Sequence, residues 1–278
     1  MDSDSHGPGA EPPDGSGVDP DPPLYKFGTF DQRIGSLAHS VGVVIAAFAI
    51  GIVLSLIVFS MLASALGIQD TENVPAWVNA AGTAVQFIGF FIVGLLYIRW
   101  RTDDRDLFAI DVPSLRDIGW IVLGYIILMV SLFIVSIILS SLNISTAENV
   151  AITQGEGQPI FFLYLIPIAF LLNGPAEELL FRGLVQGLFR RAYGILPGVA
   201  AASLFFGFVH IVALLPNNPS TVSLVSTLII ISVLGAILGL LYERTKNLIV
   251  PMAVHGLFNA IQFGLLYLRV TGQVPTGG

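Results

Sequence analysis

Within its long apolar stretches the chain carries few side chains able to do chemistry: Glu177, Glu178, Arg182, His210, His255 and Asn259. Ionisable groups at such places are costly, face protein or water, and are usually functional. On a helix, Glu178 and Arg182 lie four apart and share a face, with the acid on the favourable N-terminal side of an ion pair. Glu177 is turned about 100° away, onto the face that carries Asn173 one turn earlier. His255 and Asn259 are also four apart, and Gln262 continues their stripe. One carboxylate is therefore neutralised within its own helix and one is left free. This set suits hydrolysis of a peptide by water: Glu177 as the base, His210 to hold or share the same water, and His255 with the Asn259 amide as donors to the oxyanion.

Other hydrolytic chemistries fit less well. No Asp follows Asp117, so the later segments hold no aspartyl pair, and no His-Glu-x-x-His zinc motif occurs. The absence of cysteine excludes thiol catalysis, iron–sulfur centres and disulfides. Ser203 precedes His210 by seven residues, about 10 Å along a helix, too far for a Ser–His pair. Each residue also has a plainer reading. Glu178–Arg182 can be structural, His210 an interfacial or core histidine, Asn259 packing glue between helices, and Phe206 a core aromatic unless its spacing to His210 matters.

Depth argues for convergence. Glu177 is thirteen residues before Arg190, His210 twelve after Gly198, and Asn259 thirteen after Lys246. At ~1.5 Å per residue these are all about 18–20 Å from one boundary, with His255 at about 14 Å. Three segments thus bring polar groups to a similar level, as a shared buried site requires.

The elements that must hold such a site are membrane helices. The chain is 54% hydrophobic and 11% charged, against roughly 25% charged in soluble domains. Seven apolar segments, near 38–66, 76–98, 118–142, 160–189, 197–215, 222–242 and 248–268, are each long enough, or nearly so, to cross a ~30 Å hydrocarbon core. The expected fold is an all-α polytopic transmembrane bundle of about seven spans with a disordered acidic N-terminal tail. We divide it into a tail over 1–34, N-terminal spans over 35–150 and a polar-group-bearing core over 151–270. Six acidic residues and no Lys or Arg fall in the first 24 positions, among Pro, Gly and Ser, which favours a solvated tail. If seven helices alternate, Lys26, Arg33, Arg99, Arg101, Arg105, Arg116, Arg190, Arg191, Arg244 and Lys246 share one side and Arg269 is alone on the other. The positive-inside rule then puts the N-terminus in the cytoplasm and the C-terminus outside a cell membrane. The chain has no basic cluster suited to nucleic acid; its expected partners are the lipid bilayer and a membrane-associated protein or peptide.

Three stretches resemble the motifs of the CPBP family of CAAX-processing and bacteriocin-processing membrane proteases. Pro175-Ala176-Glu177-Glu178-Leu179-Leu180-Phe181-Arg182 resembles E-E-x-x-x-R, Phe206 to His210 resembles F-x-x-x-H, and His255 to Asn259 resembles H-x-x-x-N. They occur in the family's order over roughly 160–268. The resemblance implies an all-helical membrane endopeptidase acting on CAAX-like or lipidated substrates. It assigns water activation to Glu177 and His210 and the oxyanion to His255 and Asn259, with Glu178, Arg182 and Phe206 beside them. No metal or other cofactor is expected because these roles are complete without one; a zinc-dependent variant would use Glu177, His210 and His255. Two alternatives from other classes are a proton-coupled transporter and a non-catalytic immunity or scaffold relative.

Overall fold

The computed structural model describes residues 23–69, 74–101 and 107–274. Among the described residues there are helices and no strands. Among the described residues, seven helical spans are long and apolar enough to cross a membrane, as the sequence indicated. Helix α1 (Phe30–Leu66) starts on a Thr29–Gln32 capping box, and Gly67 ends it in the left-handed region at φ 66°. It packs antiparallel along α2 (Ala76–Trp100). Helix α3 (Leu115–Ser141) opens on a Ser114–Asp117 capping box and lies against the last two spans. The short α4 (Val150–Gly157), which the hydropathy pattern does not reveal, precedes the fourth span.

That fourth span, Ile160–Tyr193, carries the two glutamates and is not a uniform α-helix. It runs through α5 (Ile160–Ile168), a π-helical stretch Ala169–Asn173, α6 (Gly174–Glu178), a second π stretch Leu179–Gln186 and α7 (Gly187–Tyr193). Pro167 and Pro175 bracket the first π stretch. Neither proline offers an N–H, and each ring crowds the carbonyl four residues back, so the ladder widens locally. The fifth span is α8 (Ile195–Val209), a break at His210, and α9 (Ile211–Leu214) with a 3₁₀ turn to Asn217. Helices α10 (Thr221–Thr245) and α11 (Ile249–Val270) complete the bundle.

Large apolar side chains such as Leu56, Leu96, Phe133 and Leu204 point outward. A bilayer satisfies such a surface, and the helices bond their own backbones. The tail expected over 1–34 ends earlier. Its first 22 residues lie outside those described, but from Pro23 the chain is fixed to the turn between α7 and α8, and α1 begins at Phe30. The Lys26 and Gly28 amides donate to the Tyr193 and Ala192 carbonyls, both at 2.9 Å, and the Ile195 and Leu196 amides donate back to the Pro23 and Leu24 carbonyls at 3.1 Å. Composition alone does not reveal such backbone pairing.

On this same side the bundle is closed. Glu243 of α10 accepts from Gln186 (2.9 Å), Arg190 (3.2 Å) and Lys246 (2.6 Å). The segment 107–111 is pinned beneath α10 and α11. Tyr242 donates its hydroxyl to the Leu107 carbonyl at 2.7 Å, the Leu248 amide donates to the Ala109 carbonyl at 2.8 Å, and Asn247 donates to the Asp111 carbonyl at 3.0 Å.

Candidate active site

The two glutamates separate as helical phase predicts. Glu178 and Arg182 are fully buried, with Arg182 Nε 3.0 Å from Glu178 Oε2. That contact has ion-pair distance but not the angle of a hydrogen bond. The guanidinium also lies over the Phe206 ring, 4.7 Å from its centroid. Glu177 faces elsewhere, at the edge of a cavity, where its Oε1 accepts from Asn173 Nδ2 at 2.8 Å.

The site spans two helices because their backbones touch. A Cβ on Gly174 would sit 2.5 Å from the Gly256 nitrogen and 2.7 Å from its Cα, so the fourth span and α11 meet backbone to backbone there. This approach lets His255 Nδ1 reach Glu178 Oε1 at 2.9 Å and Asn259 Nδ2 reach Asn173 Oδ1 at 2.7 Å. His255 Nε2 is left 3.8 Å from Glu177 Oε2. Glu178 thus does two things: it neutralises Arg182 and fixes the His255 ring. The intrahelical pairing alone suggested only the first.

His210 arrives from the fifth span. It terminates α8, and its Nδ1 lies 2.7 Å from the Phe206 carbonyl. A carbonyl can only accept, so Nδ1 carries the proton and a neutral His210 keeps the lone pair of Nε2. Helix α8 can sit close to α10 because of Gly207, whose Cβ would fall 2.7 Å from the Leu228 carbonyl oxygen. Phe206 stands between the groups, edge-on to His210 (4.7 Å between centroids) and to His255 (5.9 Å).

Glu177, His210, His255 and Asn259 line one cavity of about 780 Å³, together with Asn173, Phe206 and Gln262. Every residue singled out from the sequence is at this cavity or, for Glu178 and Arg182, directly behind its wall. Asn173 is the participant whose role was missed. It links Asn259 to Glu177, and its place on the Glu177 face was the available signal. No group of three or more His, Asp or Glu side chains among the described residues is placed to hold a metal ion.

Residues 159–261 match a family model, type II CAAX prenyl endopeptidase Rce1-like. The resemblance drawn from the three motifs is thereby borne out. The Rce1-like segment runs from the start of the fourth span through Asn259 and contains all three motifs, while α1 to α4 lie outside it. No curated protein and no solved structure matches the chain. Among the described residues, seven helices long and apolar enough to cross a membrane fit a multi-pass membrane protein, and the part of the chain over 159–261 is similar to the CAAX prenyl endopeptidase family.

Proposed function

We propose that the protein is an intramembrane endopeptidase in which Glu177 activates water to cut a membrane-associated, CAAX-like or lipidated peptide. The observation that carries this reading is the meeting of Glu177, His210, His255 and Asn259, from three separate spans and all within the segment similar to the family, on one cavity. Water attacks the scissile carbonyl carbon as Glu177 takes its proton, a step that general-base catalysis accelerates by roughly 10²–10⁴-fold. His210 Nε2 is an acceptor and holds that water rather than the oxyanion. The carbonyl π electrons move onto oxygen, where donors must meet them. Asn259 has a second amide hydrogen beyond the one given to Asn173. His255 has committed Nδ1–H to Glu178, so Nε2 donates when the ring is the imidazolium, a form that Glu177 and Glu178 both face. The intermediate collapses, the C–N bond breaks, and the amine leaves with the proton from Glu177.

In this reading Glu177 and His210 act on water directly, with no metal between them. Glu178 and Arg182 are positioning residues that hold His255 from behind. The transporter reading gains no support, since Leu107, Leu184 and Leu248 are fully buried on the cation-rich side of the site. We further propose that the N-terminus is cytoplasmic and the C-terminus outside, on the strength of the one-sided distribution of Lys and Arg.

The test is incubation of purified protein with a fluorogenic lipidated CAAX-type peptide, with mass spectrometry of the products. One internal cut, made by wild type and not by Glu177→Gln, supports the proposal. Equal cutting by both removes Glu177 as the base.

A further inference from the structure

Resting on that reading, we propose that Gln86 of α2 and Gln262 of α11 bind the main chain of the substrate a few residues from the bond that is cut. Both side chains line the cavity that holds Glu177 and Asn259, and both lie outside residues 159–261. Leu165, Ala169, Asn173 and Glu177 recur every four residues along the fourth span and form a stripe on the cavity floor. Helices α2 and α11 each pack on α5 and the first π stretch and supply walls above that floor. Among the described residues neither glutamine amide has a hydrogen-bond partner. Thr83, on the same face of α2 as Gln86, instead donates its hydroxyl to the Asn79 carbonyl of its own helix at 3.1 Å. Gln86 lies ten residues from one end of α2 and fourteen from the other, at a depth where lipid offers a polar group nothing. Its amide must find its partner in the cavity.

The stem of Gln86 is fixed from behind. A Cβ on Gly51 of α1 would fall 2.8 Å from the Gln86 carbonyl oxygen and 3.1 Å from its Cγ, so the side chain rests against bare backbone and only its amide is left to the cavity. A side-chain amide offers donors and an acceptor without charge. That is the complement of a peptide group; an acyl chain has neither donor nor acceptor, and an ion would call for an opposite charge. The levels also suit an extended peptide. Gly94 abuts Leu179, and fourteen residues earlier on each helix Ala80 clusters with Leu165, so α2 and the fourth span run level. Gly256 abuts Gly174, and Gly264 lies near Ile166, so α11 runs the opposite way in matching register. At ~1.5 Å per residue, Gln86 lies about 9 Å and Gln262 about 13 Å from Glu177 in the direction of Leu165. At ~3.3 Å per residue of extended chain, these are roughly three and four residues from a carbonyl held at Glu177.

Binding can be read without turnover in the Glu177→Gln protein, using a fluorescent lipidated CAAX-type peptide. Gln86→Met and Gln262→Met keep an unbranched side chain and remove the amide. Each is expected to raise Kd roughly 2- to 10-fold, the size of one neutral hydrogen bond. In the protein that retains Glu177, KM should rise by the same factor with kcat nearly unchanged. The melting temperature should not fall, since neither amide has a partner within the described residues to lose. A second arm replaces one main-chain N–H of the peptide at a time by an ester oxygen. Replacement three or four residues from the cut should weaken binding to the protein with both glutamines and cost nothing further in the matching Met variant. Unchanged Kd in both Met variants would overturn the inference, whether or not they melt lower, and so would an ester penalty equally large with and without the glutamines. If the Met variants weaken binding and wild type cuts no peptide, the hydrolase reading fails while the main-chain contacts stand.

Discussion

Replacing Glu178 with Ala and Glu177 with Gln should separate stability from activity, although the residues are adjacent. Glu178 is fully buried, 3.0 Å from the Arg182 guanidinium and 2.9 Å from His255 Nδ1. Truncating it leaves Arg182, also fully buried, without its carboxylate. Removing one partner of a buried ion pair costs about 3–5 kcal/mol, a large part of a typical stability of ~5–15 kcal/mol. At roughly 2–4 °C per kcal/mol, the melting temperature should fall by about 6–20 °C. Glu177 lies at the cavity edge, and its hydrogen bond to Asn173 survives in Glu177→Gln through the amide oxygen. Its stability cost should be no more than about 1 kcal/mol, while cleavage falls by roughly 10²–10⁴-fold. Thermal unfolding in detergent, followed beside peptide cleavage, reads both quantities. A Glu178→Ala protein that melts like wild type, or a Glu177→Gln protein that melts as low as Glu178→Ala, would refute this division of roles.

Three further expectations concern the same site. Gly174→Ala should push α11 away from the fourth span and strain both interhelical hydrogen bonds; displacement of about 1 Å at a reacting group costs on the order of 100-fold in rate, so cleavage with all motif residues intact and undiminished would count against the close approach. Asn173→Leu should lower kcat by about tenfold, the worth of one hydrogen bond to a charged group, with substrate KM and melting temperature nearly unchanged; an unaltered kcat would remove Asn173 from the site. Cleavage should survive exhaustive chelation, and activity lost with chelator and restored by zinc alone would show that Glu177, His210 and His255 draw together around a metal.

Much of this arrangement was legible in the residues because membrane helices obey strong one-dimensional rules. Long apolar segments fixed the spans, and helical phase put Asn173 beside Glu177 and Arg182 beside Glu178. Equal depth along the chain brought His210 and His255 to the same cavity. What escaped depends on contacts between segments. The His255–Glu178 bond exists only because Gly174 and Gly256 let two backbones meet, and small residues are too common in such helices to mark one pair. The first π stretch follows from Pro167 and Pro175 acting with their surroundings, since proline can equally kink or end a helix. Helix α4 is short and polar, with nothing in hydropathy to distinguish it from a loop.

The most direct test of the central claim is single-turnover cleavage of the lipidated CAAX-type peptide by wild type and by Glu177→Gln, each first shown to melt normally. A cut at one bond by wild type, with the Gln protein slower by roughly 10²-fold or more, is the expected result. Equal rates in the two folded proteins would contradict it.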